Sequence, residues 1–128
     1  MADSYTQFST ELHVGSAENA EAALKLYEQL QYEDGDSNFC CEVDGDRLWL
    51  YADEYGNPDH VATFVVKLAR QVGLKGKWGF QWAYTCSRPI LDEFGGGAIA
   101  IDLATGHVEE LYTGDWLHDE HVAEKVYG

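Results

Sequence analysis

The segment KWGFQWAYTC, residues 77–86, most constrains the fold, because a large ring recurs at every second position. The rings on one face of such a strand are Trp78, Phe80, Trp82 and Tyr84. The other face carries Gly79, Gln81, Ala83 and Thr85. Because successive side chains of a strand point to opposite faces, the pattern predicts a one-sided strand whose rings are covered by helices. The alternative is an exposed ring platform that binds another protein.

Two amphipathic helices are available to cover such a strand. The second has Asn57 as its N-cap and Pro58 at its first position, and Gly73 ends it. Its apolar stripe consists of Val61, Phe64, Val65, Leu68 and Val72. The first helix, residues 17–31, has Ser16 as N-cap. Its apolar stripe consists of Ala20, Ala23, Leu24, Tyr27 and Leu30, and both stripes predict burial against a sheet.

The remaining elements complete a mixed order of strands and helices. Alternation and turn residues predict further strands at 5–14, 39–43, 47–53, 97–103 and 107–112. The turn Asp44-Gly45-Asp46 is the strongest hairpin signal, and Asp115 is expected to cap a short helix over 116–127. We predict one α+β domain over residues 1–128, an antiparallel sheet with helices packed on one face. Its expected core is ferredoxin-like, βαββαβ, with an extra C-terminal hairpin strand and a short helix.

The charge is strongly acidic and unevenly distributed. The chain has 8 basic and 23 acidic residues, a net charge of −15. Residues 61–90 contain five basic residues and no acidic one. Such a field repels phosphate backbones, so direct nucleic-acid binding is not expected. Two interpretations stay open: general solubility, and docking on a basic protein surface.

The apolar runs, the N-terminal pattern and the cysteines of the chain indicate its cellular location. No run of eighteen apolar residues exists, and MADSYTQFST does not have the pattern of a signal peptide. Of the three cysteines, Cys40 and Cys41 are adjacent and would point to opposite faces of a strand. A reducing cytoplasm is the expected location.

The segment TCSRPILDEFGGGAIAIDL, residues 85–103, offers the main candidate for chemistry. Cys86 and Arg88 precede Asp92 and the run Gly95, Gly96, Gly97. The glycines match no phosphate-loop spacing and lead into a strand, so we expect them to permit a positive φ, a bulge or a close backbone approach. The alternative is a small ligand-binding or thiol enzyme domain centred on Cys86, Arg88 and this glycine loop.

Other candidate sites are weaker. His118 and His121 have a spacing that places both on one helical face with Glu124, but HDEH is not the HExxH pattern of a zinc helix. Paired acids such as Glu109-Glu110 fit solvated rims. We therefore predict neither a metal nor a cofactor, and no catalytic residue.

Three motifs carry a resemblance. YTQFS, LWLYADEYGN (48–57) and TCSRPILDEFGGGAIAIDL (85–103) resemble a set of small acidic bacterial proteins, often encoded on phages, plasmids and other mobile elements. The similarity extends over about residues 5–117, with CSRP followed by FGGGA as its most specific part. It implies a cytoplasmic accessory protein that blocks a host factor, and no catalytic residue can be carried over.

The favoured hypothesis is a non-enzymatic interaction protein whose acidic surface engages a basic partner, as an anti-restriction or anti-CRISPR inhibitor does. The acids expected to carry this contact are Glu33, Asp34, Asp36, Asp44, Asp46, Asp53 and Glu54. Homodimerisation through a sheet edge or the aromatic strand stays open.

Overall fold

The computed structural model describes residues 4–30, 32, 37–89 and 94–116. The strands in this part of the chain are β1 (Ser4–His13), β2 (Cys40–Asp44), β3 (Arg47–Ala52), β4 (Lys77–Cys86), β5 (Gly95–Asp102) and β6 (His107–Tyr112). The helices are α1 (Ala17–Gln29), α2 (Pro58–Val72) and a single turn, α3 (Thr113–Asp115).

All six strands join one antiparallel sheet in the order β2-β3-β1-β4-β5-β6. The first strand therefore lies inside the sheet, between β3 and β4, and the two edges are β2 and β6. The expected α+β class with an antiparallel sheet is confirmed.

The helix ends follow the capping residues in the sequence. Ser16 Oγ accepts a hydrogen bond from the amide of Asn19 at 3.1 Å, which satisfies an otherwise unpaired donor of the first turn. Asn57 caps α2 in the same way, with Pro58 at the first position. Gly73 ends α2 in the left-handed conformation, with a φ of 76°. All three predicted caps are confirmed.

One face of the sheet is covered by α1 and α2. The buried cluster joins both helices to five of the strands, through residues such as Ala23, Phe64, Leu12, Leu50 and Ile101. Phe80 of β4 is 7% exposed and its ring centroid lies 5.4 Å from that of Phe8. Trp78 and Trp82 pack against the same cluster and are partly buried. The rings of β4 thus point toward the helices, as the small residues on its other face indicated.

The opposite face carries an exposed aromatic pair. Trp49 is 45% exposed and stacks on Tyr51, with ring centroids 3.9 Å apart. The Trp49 indole Nε1 donates to Ser9 Oγ at 2.8 Å, which fixes the ring along β1. Trp49 and Tyr51 thus lie on the open face, unlike the rings of β4.

Several element boundaries differ from the sequence prediction: α1, for example, ends at Gln29 and not at residue 31, and two differences lie later in the chain. The strand β5 begins at Gly95, two residues early, because the glycines themselves pair with β4. A helical turn forms at Thr113–Asp115, so Asp115 ends a turn instead of capping a helix. Most of the predicted helix over 116–127 lies outside the described residues, as do His118 and His121.

Candidate functional site

A cleft of about 560 Å³ opens where the first turn of α2 meets the ends of β4, β5 and β6. The position of the cleft follows from how the burial of the β4 rings changes along the strand. Phe80 lies in the core, whereas Trp82 and Tyr84, farther along the same face, are only partly buried and line the cleft. The ring face of β4 therefore has two parts, a covered core and an open end.

The cleft has a largely aromatic wall drawn from separate segments. Its rings are Trp82, Tyr84, Phe94 and Tyr112. Trp82 and Tyr112 meet edge to face, with centroids 5.5 Å apart and planes at 71°. Phe94, just before β5, is 54% exposed. Four rings grouped in one concave lining, with Phe94 exposed at the rim, form the kind of apolar surface that favours contact with another molecule.

Gly97 makes room for the Trp82 ring. A Cβ placed on Gly97 would lie 2.8 Å from Cζ2 of Trp82 and 2.4 Å from the carbonyl oxygen of Leu111. On Gly96 it would lie 2.5 Å from the carbonyl oxygen of Trp82. None of these three glycines has a positive φ, so at Gly96 and Gly97 the close approach of neighbouring groups is the reason that the sequence has glycine. Gly95 is different, because its nearest neighbour would be 3.8 Å away.

Acidic side chains give the cleft its charge. Asp59 and Asp115 line it, and Glu110 lies behind Asp59 on β6. A hydrogen bond with Glu110, together with partial burial, raises the pKa of Asp59 to about 6. The hydroxyl of Tyr112 donates to Glu110 Oε2 at 2.8 Å, and this bond raises the pKa of Tyr112 to about 12. The three side chains form one connected acidic network.

The amides at the start of α2 are already paired. Asn57 Oδ1 accepts from the amides of Asp59 at 3.0 Å and His60 at 3.3 Å. A bound anion would have to displace this cap and would face the Asp59 carboxyl group. The lining of the cleft therefore disfavours a bound anion.

The predicted thiol site is only partly gathered at the cleft. Gly95 and Gly96 line it, whereas Cys86 ends β4 opposite Ser4 and Arg88 lies exposed two residues later. Asp92 lies outside the described residues. Gly97 is under the Trp82 ring. Cys86 and Arg88 are not among the described residues that line the cleft.

The described histidines contact other groups. His13 Nε2 lies 3.2 Å from Glu11 Oε1, and His107 Nε2 lies 3.4 Å from Glu109 Oε1. The ring of His60 stacks on that of Tyr32, with ring centroids 4.1 Å apart. Within the described ranges, no cluster of three histidine, cysteine or carboxylate side chains could hold a metal ion.

The adjacent cysteines behave as the strand geometry predicts. Cys41 is buried among core residues and Cys40 is exposed. Burial raises the pKa of the Cys41 thiol to about 12, so this thiol is a packing group rather than a nucleophile.

The acids predicted to bind a partner are separated by the fold. Asp44 and Asp46 lie at the β2–β3 turn, where Arg47 Nε approaches Asp46 Oδ1 at 3.9 Å. Asp53 and Glu54 follow the other end of β3, roughly 20 Å away for a strand of this length. Glu33, Asp34 and Asp36 lie outside the described residues.

Asp53 and Glu54 lie at the same end of the sheet as the cleft. The carbonyl oxygen of Glu54 accepts from the Thr6 amide at 2.7 Å, and Thr6 lines the cleft. Gln7 Nε2 donates to the carbonyl oxygen of Asp53 at 2.8 Å. These bonds hold the segment after β3 against β1 while both carboxylate side chains remain at the surface.

The residues predicted from the sequence to form a site do not include Asp59, Tyr112 or Phe94. The alternation in HVEELY contained part of the signal, since Val108, Glu110 and Tyr112 share one face of β6. Only the packing of α2 beside β6 brings Asp59 to Glu110, because the two residues are far apart in sequence.

No protein-family model, curated protein or solved structure matches this chain. Among the described residues, none of the helices combines the length and apolar character needed to cross a membrane.

Proposed function

We propose that this chain is a non-enzymatic interaction protein that binds the basic surface of a nucleic-acid-binding protein. It acts in the cytoplasm and competes there with nucleic acid, as an anti-restriction or anti-CRISPR inhibitor does. The observation that carries the proposal is the grouping of acidic side chains around an aromatic cleft on a chain of net charge −15. We further propose that β1 to β4 with α1 and α2 form a ferredoxin-like core, which the order β2-β3-β1-β4 supports.

Charge and exposed rings together favour a protein partner. Complementary charge accelerates association and excludes wrong partners, whereas buried aromatic anchors supply most of the affinity of an interface. The cleft end has both: Asp53, Glu54 and Asp115 carry charge, and Phe94 and Tyr112 offer apolar area. The hairpin end has Asp44 and Asp46 on a turn whose neighbour Arg47 offsets part of their charge.

The test is competition with DNA for a panel of basic nucleases of host defence systems. Purified protein is titrated into each nuclease bound to labelled duplex, and displaced duplex is measured by fluorescence anisotropy. We expect displacement of duplex from at least one nuclease at concentrations well below those needed by polyglutamate of equal total charge. Displacement no better than that of polyglutamate across the panel contradicts specific competition.

Two matched variants locate the contact. The double variants Asp53→Asn/Glu54→Gln and Asp44→Asn/Asp46→Asn each remove two negative charges, so net charge is equal. We expect the first pair to weaken displacement more, because it lies beside the cleft. Equal losses would mean that overall charge, not this end of the sheet, governs the competition.

A further inference from the structure

We propose that the cleft binds a single arginine side chain of the partner, with the guanidinium group held between aromatic rings and carboxylates. The identity of the partner as a basic protein rests on the proposed function. The preference of the cleft for a guanidinium group does not rest on the proposed function, because this preference follows from the residues that line the cleft.

The rings fit a flat cation. Guanidinium groups stack on aromatic faces and are attracted by the negative charge of the ring face. The planes of the Trp82 and Tyr112 rings lie at 71° to each other. A guanidinium group beside them would therefore stack on the face of one ring and contact the edge of the other. Phe94 lies at the rim, where it can cover the methylene stem of an arginine and lose its own contact with water.

The carboxylates fit the same ligand. Asp59 and Asp115 line the cleft, and a guanidinium offers several N–H donors in a planar fork that carboxylate oxygens accept. No lysine or arginine is among the described residues that line the cleft, so the described lining holds no competing cation. The positive end of the α2 dipole opposes a cation, but Asp59 in the first turn offsets it.

Neutral and anionic ligands fit less well. An anion would meet Asp59 and Asp115 at close range and would find the first α2 amides bonded to Asn57. A purely apolar ligand would leave these carboxylates poorly solvated, which costs free energy. A cation with a planar head group and an apolar stem can contact both the aromatic rings and the carboxylates of the cleft.

The experiment uses acetyl-arginine methylamide as the probe and the neutral isostere acetyl-citrulline methylamide as its control. Binding is followed by the indole N–H signals in two-dimensional ¹H–¹⁵N NMR spectra, with the Trp82 signal assigned from Trp82→Phe. We expect saturable movement of the Trp82 signal with the arginine probe only. The indoles of Trp49 and Trp78 serve as internal controls, because they donate to Ser9 and to the Glu11 carbonyl away from the cleft.

Variants of Tyr112 separate the ring from its hydroxyl group. Tyr112→Phe keeps the aromatic face but loses the hydroxyl group that bonds to Glu110, and we expect it to bind the probe more tightly than Tyr112→Leu does. Tyr112→Leu keeps apolar volume but removes the face, and we expect about two- to fivefold weaker binding. Asp115→Asn is also expected to weaken binding, with Asp44→Asn as the charge-matched control at the hairpin.

Three outcomes overturn the proposal. They are equal binding of the citrulline probe, equal binding by Tyr112→Leu and Tyr112→Phe, and equal movement of all indole signals. Equal affinity for acetyl-lysine methylamide, with its free ε-amino group, overturns the assignment of guanidinium in particular. Probe binding without displacement of duplex from any nuclease contradicts the proposed function alone, whereas displacement without probe binding contradicts this inference alone.

Discussion

Replacing Gly97 by alanine tests how the triple glycine shapes the cleft. The new Cβ would lie 2.4 Å from the Leu111 carbonyl oxygen and 2.8 Å from the Trp82 ring. Neither group can yield freely, since one is backbone of the paired strand β6 and the other is a ring packed against the core. Forcing extra volume into a packed site typically costs about 1–3 kcal/mol.

The matched control is Gly95→Ala in the same strand. Its Cβ would have its nearest neighbour at 3.8 Å, an ordinary contact. Alanine restricts the unfolded chain, so at a compatible position it stabilises by about 0.4–1 kcal/mol. We therefore expect Gly95→Ala to equal or exceed the parent chain in free energy of unfolding.

Thermal denaturation followed by circular dichroism compares the two variants, and urea denaturation gives their free energies of unfolding. For a chain of this size, 1 kcal/mol corresponds to a change in melting temperature of roughly 3–5 °C. We expect Gly97→Ala to melt several degrees below Gly95→Ala and to move the Trp82 indole signal more. If Gly97→Ala proves as stable as Gly95→Ala, close approach does not explain the glycine at position 97.

Two further predictions concern the core and the acidic network. Phe64 is 0% exposed, so Phe64→Ala should lower the free energy of unfolding by about 3–5 kcal/mol in denaturant titrations. Phe94→Ala at the rim of the cleft should change that free energy by less than about 0.5 kcal/mol. Similar losses for the two variants would contradict the burial assigned to these side chains. The native pKa of Asp59 is raised to about 6 by Glu110, so the native state binds the proton more tightly and stability falls as pH rises from about 4 to 6. Asp59→Asn should make this pH-dependent fall in the free energy of unfolding smaller, by less than about 1 kcal/mol because the Asp59 carboxyl group is largely exposed. If the variant has the same pH profile of stability as the parent chain, Asp59 is not the group responsible.

The pH prediction depends on the groups that surround Asp59. Glu110 and Tyr112 face it from β6, and His60 follows it on α2 and acts in the opposite direction by its positive charge when protonated. Measurement of Glu110→Gln in parallel identifies which carboxyl group supplies the effect.

The fold was predictable where a local rule dictates conformation. Alternation placed β4 at its observed residues, and the Asn57-Pro58 and Gly73 signals placed both ends of α2. The small residues on the other face of β4 indicated that its rings point toward the helices. These inferences needed only the period of the side chains and the capping of unpaired amides.

The site was predictable only in fragments. The sequence drew attention to Gly95 to Gly97 and to Asp53 and Glu54, and these positions lie at or beside the cleft. It also predicted that Asp44 and Asp46 contact the partner together with Asp53 and Glu54, but the length of β3 separates the two pairs. Charge counts carry no information about distance.

The sequence by itself determined the acidic charge, the one-sided aromatic strand and the helices that cover it, because these depend on composition and on neighbours along the chain. Only the tertiary structure decided that α2 begins short of Trp82 and Tyr84, and that Asp59 reaches Glu110 across to β6. The physical reason is that a cleft arises from where packed elements stop, and no local pattern records that position.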